Sequence, residues 1–148
     1  ICGTVKWELR DPSSAILMQG EKRAEIPALS SVWLDNLIFP EADELKNYIS
    51  YEFWTDGQKV SWGTTLFCAP KHFAFEDPGL TWEVNGNEIR IHADAYAKCI
   101  EIRDMQQDLK LSDNYFDMNA GAVCVTVLEG QAAHLQVRSV YDIGKINE

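Results

Sequence analysis

Ile49-Ser50-Tyr51-Glu52-Phe53-Trp54-Thr55-Asp56-Gly57-Gln58-Lys59-Val60 is the stretch on which the fold turns. Side chains of an extended chain point alternately to its two faces. Ile49, Tyr51 and Phe53 therefore share one face, and Ser50, Glu52 and Trp54 the other. Asp56-Gly57 supplies the two residue types that tolerate positive φ in a two-residue hairpin loop. Residues 60–67 then read as the returning strand. An antiparallel hairpin with one apolar face is predicted, and such a hairpin must bury that face against another layer.

The pattern continues on both sides. Upstream, Val5, Trp7 and Leu9 alternate with Lys6, Glu8 and Arg10 until Asp11-Pro12-Ser13-Ser14 breaks the strand with turn chemistry. Residues 16–18 resume extended structure, and residues 24–28 read as a short strand whose pairing Pro27 limits. Residues 32–39 are apolar, β-branched and aromatic, and are expected to form a further strand. Pro40-Glu41-Ala42-Asp43-Glu44 closes it with an acidic run suited to one helical turn. Downstream, residues 69–73 and 76–79 read as connections. Residues 80–84 form a strand, Asn85-Gly86-Asn87 a tight turn, and Ile89, Ile91 and Ala93 the alternating return. Cys99, Glu101 and Arg103 oppose Ile100 and Ile102, and residues 104–110 read as loop. Val123, Val125 and Val127 alternate, and Leu135, Val137 and the Val140-Tyr141 pair are expected to finish the sheet.

No segment keeps a helical period over ten residues. Short strands at roughly 8–12-residue spacing, separated by turn signals, predict an all-β protein built of antiparallel β-sandwiches. The 148 residues are enough for two small sandwiches in tandem, and Asp77-Pro78-Gly79 marks the boundary between residues 1–78 and residues 79–148.

Composition narrows the function classes. Hydrophobic residues make up 46% and charged residues 24%, the balance of a globular chain rather than a disordered one. The net charge of −10 comes without a basic cluster. That argues against nucleic acid and anionic membrane surfaces as partners, and leaves neutral sugars acceptable. No apolar stretch approaches the roughly 20 residues that cross a bilayer. Ile1-Cys2-Gly3-Thr4 has no initiator Met, basic region or cleavage pattern and begins directly in a strand pattern, which suggests a piece of a longer chain. Cys2, Cys68, Cys99 and Cys124 form no Cys-x-x-Cys pair, and His72, His92 and His134 lie at no zinc spacing. No cofactor or metal is expected. Cys68, Cys99 and Cys124 sit among apolar strand residues and are expected to be buried free thiols, with one or more disulfides as the alternative. A reducing bacterial cytoplasm is the expected compartment.

Leu111-Ser112-Asp113-Asn114-Tyr115-Phe116-Asp117-Met118, followed by Gly121, is the most specific stretch. It resembles the Ser-Asp-Asn-Tyr-Phe-Asp signature in the last β-sandwich domain of β-mannosidases of glycoside hydrolase family 2. Ala93-Asp94-Ala95-Tyr96-Ala97-Lys98 and Val137-Arg138-Ser139-Val140-Tyr141-Asp142-Ile143 agree with that domain. The first half is similar to the preceding immunoglobulin-like domain through Gly3-Thr4-Val5-Lys6-Trp7-Glu8-Leu9, the Ile26-Pro27-Ala28-Leu29-Ser30-Ser31 turn, and Leu66-Phe67 leading to Pro70-Lys71. Asn119-Ala120-Gly121-Ala122 departs from the family, where Pro-Gly-Glu is commoner. The resemblance implies an immunoglobulin-like sandwich over residues 1–78, truncated at its N-terminus, and the C-terminal sandwich over residues 79–148. It also implies a parent that hydrolyses terminal β-mannosides with retention, whose catalytic barrel would be the partner of this segment.

Read physically, the signature needs no catalytic role. Asp113 and Asn114 bond nearby backbone in turns, and Tyr115 and Phe116 are expected to place apolar area in the core. The implied reaction needs two carboxyls roughly 5–5.5 Å apart. A barrel of ~250 residues does not fit in this chain, and no glutamate here matches the family's catalytic motifs. Glu52, Glu83 and Glu88 fall on alternating strands or beside a turn, where a solvent-facing charge is expected, and no catalytic pair is expected among them and Glu101. Asp113, Asn114 and Asp117 lack the spacing of a calcium loop. No nucleophile elbow, phosphate loop or dinucleotide fingerprint occurs. What remains is a set of tryptophans, Trp33, Trp54, Trp62 and Trp82. Trp54 and Trp62 flank the Asp56-Gly57 turn and are the candidate site, either as a platform for β-mannosides or as packing against a neighbouring domain.

Overall fold

The computed structural model describes residues 1–144. Residues 145–148, assigned by sequence to the second sandwich, lie outside the described residues. The chain divides into two compact units, residues 1–11 with 15–74, and residues 12–14 with 75–148.

The first unit is one antiparallel sheet. Its strands are β1 (Cys2–Arg10), β2 (Ile16–Glu25), β3 (Tyr48–Thr55) and β4 (Gln58–Leu66), in the order β2-β1-β3-β4. The β3–β4 hairpin turns at Asp56 and Gly57, with φ of 50° and 75°, the primed geometry that matches strand twist. Alternation places Val5, Trp7 and Leu9 of β1 beside Phe53, Tyr51 and Ile49 of β3 on one face. Glycine makes room for the rings there. A Cβ on Gly20 would sit 2.4 Å from the Trp7 ring. One turn of 3₁₀ helix, Pro70–His72, follows β4, and Phe73 packs edge-on against the fully buried Tyr48.

Two expectations for this unit fail. Residues 24–28 do not start a new strand, because β2 runs unbroken from Ile16 to Glu25, its charged residues accommodated on a sheet edge. Residues 32–39 form no strand; the whole stretch 26–47 is without one. A strand needs a ladder partner as well as β-prone residues. Here the aromatic content is used for packing: Phe39 sits 5.3 Å from the Trp7 ring and 6.0 Å from that of Phe67.

The second unit is a sandwich. One sheet runs in the order β5-β6-β10-β8, from β5 (Thr81–Asn85), β6 (Glu88–Ala93), β8 (Lys110–Leu111) and β10 (Gly121–Glu129). The other runs β11-β7-β9, from β7 (Ala97–Asp104), β9 (Phe116–Met118) and β11 (Leu135–Arg138). The core follows the sequence alternation: Ile89 and Ile91 of β6, Ile100 and Ile102 of β7, Phe116, Met118, Val125 and Val137 are all buried.

Val140-Tyr141 does not finish the sheet. Val140–Gly144 is the short helix α1, started by Ser139, whose backbone N–H and hydroxyl both donate to Asp142 Oδ2. Ser139-x-x-Asp142 is a capping signal, and it overrides the β-propensity of the valine and tyrosine. The cysteines also differ from expectation. All four are free thiols, but Cys2, Cys99 and Cys124 are exposed and Cys68 is half-buried, because Cys99 and Cys124 fall on the outward beat of their strands.

Candidate functional site

The outer face of the first sheet carries both candidate tryptophans. Register pairs Trp62 with Glu52 and Trp54 with Lys59, with an irregularity after Phe53 that leaves Val60 without a partner. On the other side of β3, Lys6 pairs with Glu52 and Thr4 with Trp54. Lys6, Glu52, Trp54, Lys59 and Trp62 therefore gather on one face, opposite Tyr51 and Phe53.

They form a closed network. The Trp54 indole N–H donates to Glu52 Oε2 at 2.7 Å, and Lys59 Nζ donates to Glu52 Oε1 at 3.1 Å. Lys6 Nζ lies 4.9 Å from the centre of the Trp54 ring, and Lys59 Nζ 5.8 Å from that of Trp62. Each ring thus engages an ammonium, which a ring quadrupole favours. Burial pushes Glu52 up, but the hydrogen bonds from Trp54 and Lys59 and the charges of Lys59 and Lys6 outweigh it and hold the carboxyl below its usual range. Trp62 remains 37% exposed. Beside Trp54 an open depression of about 470 Å³ is lined by Thr4, Lys6, Glu21, Arg23 and Asp56, among others. The surface combines ring faces with donors and acceptors suited to hydroxyl groups.

Acid–base chemistry is not supported by this face. A retaining hydrolase needs one carboxyl held protonated and another free to attack. Asp35, Glu52, Glu101 and Asp104 are each shifted down. Glu101 is held low first by a hydrogen bond from Arg138, with Tyr115 and Arg103 assisting against the burial that opposes them. No group of three or more metal-binding side chains occurs among the described residues.

The signature stretch has a different task. Asn114 uses both ends of its amide on one residue of β7: Oδ1 accepts from Ile102 N–H at 2.8 Å, and Nδ2 donates to Ile102 C=O at 2.9 Å. A side chain thereby imitates a strand neighbour where none is available. Asp117 accepts from Cys99 N–H at 2.8 Å and pairs with Lys98 at 2.9 Å, pinning the β7 irregularity where Cys99 takes a φ of 53°. Phe116 enters the core as expected, but Tyr115 does not. It is 61% exposed, with φ of 59°, and its phenol donates to Glu101 at 3.2 Å. Asp104, read only as loop, is a further device: it accepts from the backbone N–H groups of Gln106, Ala133 and His134 at 2.9, 3.0 and 2.7 Å. These contacts fix loops to strands.

Comparison with known proteins places this architecture. Residues 1–72 match the model of the Mannosidase Ig/CBM-like domain, and residues 75–143 match that of the mannosidase Ig-fold domain. The chain belongs to these mannosidase immunoglobulin-like families. The two domains follow one another in tandem, all-β as their alternation predicts. No curated protein matches the chain. Among solved structures, the β-D-mannosidase from Dictyoglomus thermophilum is similar, with a TM-score of 0.74 and 14% identity over 95% of this chain. The chain spans 18% of that protein's length. At this identity the likeness speaks for the fold of the mannosidase immunoglobulin-like pair, not for its chemistry.

Proposed function

We propose that the chain is a non-catalytic accessory segment from the C-terminal region of a family 2 glycoside hydrolase, whose parent hydrolyses terminal β-mannosides with retention. The observation that carries this reading is the succession of two mannosidase-type domain matches along residues 1–72 and 75–143. Its partner in this reading is the catalytic barrel of the same polypeptide. The free thiols support a reducing bacterial cytoplasm as its compartment.

The test is hydrolysis of an aryl β-mannoside. The full-length polypeptide should cleave it with retention, and the 148-residue chain should not. Turnover by the short chain, or none by the full-length polypeptide, would sink the reading.

A second reading, binding of manno-oligosaccharides, is favoured by Trp54 and Trp62 on one solvent face beside a polar depression. A sugar stacking on the ring faces that Lys6 and Lys59 engage would have to displace them. Calorimetric titration with mannobiose and longer β-manno-oligosaccharides decides it. Saturable heat that vanishes in Trp54→Ala or Trp62→Ala supports the binding reading, and no heat at millimolar ligand removes it.

A further inference from the structure

The register of the first sheet carries the tryptophan face across all four of its strands. Trp62 of β4 stands opposite Glu52, Glu52 opposite Lys6 of β1, and Lys6 opposite Glu21 of β2. A second row, two residues along, runs Lys59, Trp54, Thr4 and Arg23. Both rows lie on one face, because side chains two residues apart on a strand share a side. Neighbouring strands lie ~4.8 Å apart, so the three steps from β4 to β2 cover roughly 14 Å. The depression beside Trp54 is the far end of this strip, where Thr4, Lys6, Glu21 and Arg23 line it together with Asp56. Glu52 is already engaged by Trp54 and Lys59. Glu21 and Arg23 are exposed and belong to no ion pair among the described residues.

We infer that this strip binds a neutral β-linked manno-oligosaccharide of three or more units laid across the strands, with Trp62 and Trp54 as stacking faces and Glu21 and Arg23 fixing the distal unit. The inference rests on the sugar-binding reading above and adds the direction and length of the ligand. One unit of a β-linked pyranoside chain advances about as far as one strand spacing, so one unit per step spans the strip. Neutrality follows from the balance of charges. An anionic chain would meet Glu52, Glu21 and Asp56, and a cationic one Lys6, Lys59 and Arg23. Hydroxyl groups instead donate to the first set and accept from the second. A protein partner is disfavoured by composition. Five of the eight side chains in the two rows are charged and none is aliphatic, whereas the buried centres of protein interfaces are depleted in Lys and Glu. The Lys6 and Lys59 ammoniums leave the ring faces on binding and donate to hydroxyls. Both side chains are exposed, where such ring contacts are weak.

Calorimetric titration of the 148-residue chain with β-linked mannobiose and mannotetraose tests this. The tetraose should bind about tenfold tighter, the effect of one or two further hydrogen bonds at the distal unit. The double variant Glu21→Ala/Arg23→Ala should remove that gain. Both residues are exposed on an edge strand, so their loss leaves the sheet intact. Glu83→Ala, an exposed residue of β5 in the second unit, should keep the gain. A longer chain also has more registers in which to sit on Trp54 and Trp62 alone, and a gain of that origin survives the double variant. A surviving gain, or equal affinity for the two sugars, therefore overturns the inference and leaves the sugar-binding reading standing. No heat with either sugar removes that reading and the inference with it. Tighter binding of a mannuronate tetramer than of mannotetraose would assign the strip to an acidic glycan, and overturns the inference.

Discussion

The two units meet the same demand, a sheet with one apolar face, in unequal ways. The second covers its faces with each other: Ile89 and Ile91 on one sheet and Ile100 and Ile102 on the other are almost completely buried. The first has one four-stranded sheet among the described residues, and its cover includes a strandless segment anchored by Phe39. Its fully buried large side chain is Tyr48, while Tyr51, which shares the Trp7 face, is exposed. Burial stabilises in proportion to area removed from water, so the second unit carries the greater share of its own stability. Two domains of one architecture thus differ in how far each can stand alone.

The sharpest way to break that contrast is to empty a core position in each unit. Ile100→Ala in β7 should cost about 3–4 kcal/mol, because the surrounding sandwich cannot collapse into the space. Phe39→Ala should cost less, about 2 kcal/mol, because the ring is only half-buried and its segment can settle on the sheet. Denaturant unfolding followed by hydrogen exchange in each unit reads both. Equal costs would mean that the segment 26–47 packs as firmly as a second sheet.

The next effect isolates the signature corner. Asn114→Ala leaves the N–H and C=O of Ile102 without their side-chain partner, which should cost about 1–3 kcal/mol, confined to the second unit. Asn114→Asp should recover only half of the pairing, since a carboxylate can accept from the N–H but cannot donate to the C=O. Equal melting of wild type and Asn114→Ala would show the corner to be held by its neighbours instead.

What was legible in the sequence was local. Asp56-Gly57 and Asn85-Gly86-Asn87 announce their hairpins because turn geometry depends on the residues in the turn. The alternation of Ile89, Ile91 and Ala93 announces a buried face because strand geometry has a period of two. Residues 32–39 misled because β-propensity without a ladder partner is satisfied equally well by an aromatic docked on Trp7. Asp104 reads as loop in the sequence because its three donors lie at Gln106, Ala133 and His134, two of them about thirty residues away. The sequence places the candidate tryptophans near one turn but does not reveal their ammonium neighbours Lys6 and Lys59. Lys6 comes from a strand distant in sequence, and Lys59 from a register irregularity that alternation does not reveal.

The smallest expected effect separates the units by what holds their carboxylates. Asp35 and Glu52 in the first unit, and Glu101 and Asp104 in the second, have a folded proton affinity below the ordinary value. A lowered folded pKa contributes stability that is present above the unfolded value and lost as pH falls through the folded one. Both units should therefore weaken as pH falls below the ordinary values of 4.5 for Glu52 and Glu101 and 3.8 for Asp35 and Asp104. Salt should then divide them. Asp35 leans on Lys22, whereas Glu52 leans first on the uncharged Trp54 indole N–H and then on Lys59; at 1 M salt screening shortens to about 3 Å, weakening the exposed lysine pairs. Asp104 leans first on the backbone N–H groups of His134 and Gln106, which carry no net charge to screen. Unfolding measured between pH 5 and pH 2.5 at low and at 1 M salt should show the acid step of the first unit reduced by salt to the part that the Trp54 indole holds at Glu52. That of the second should persist in part and shrink further in Asp104→Asn. If salt flattened both units equally, the backbone clasp at Asp104 would not be the source of the second unit's acid sensitivity.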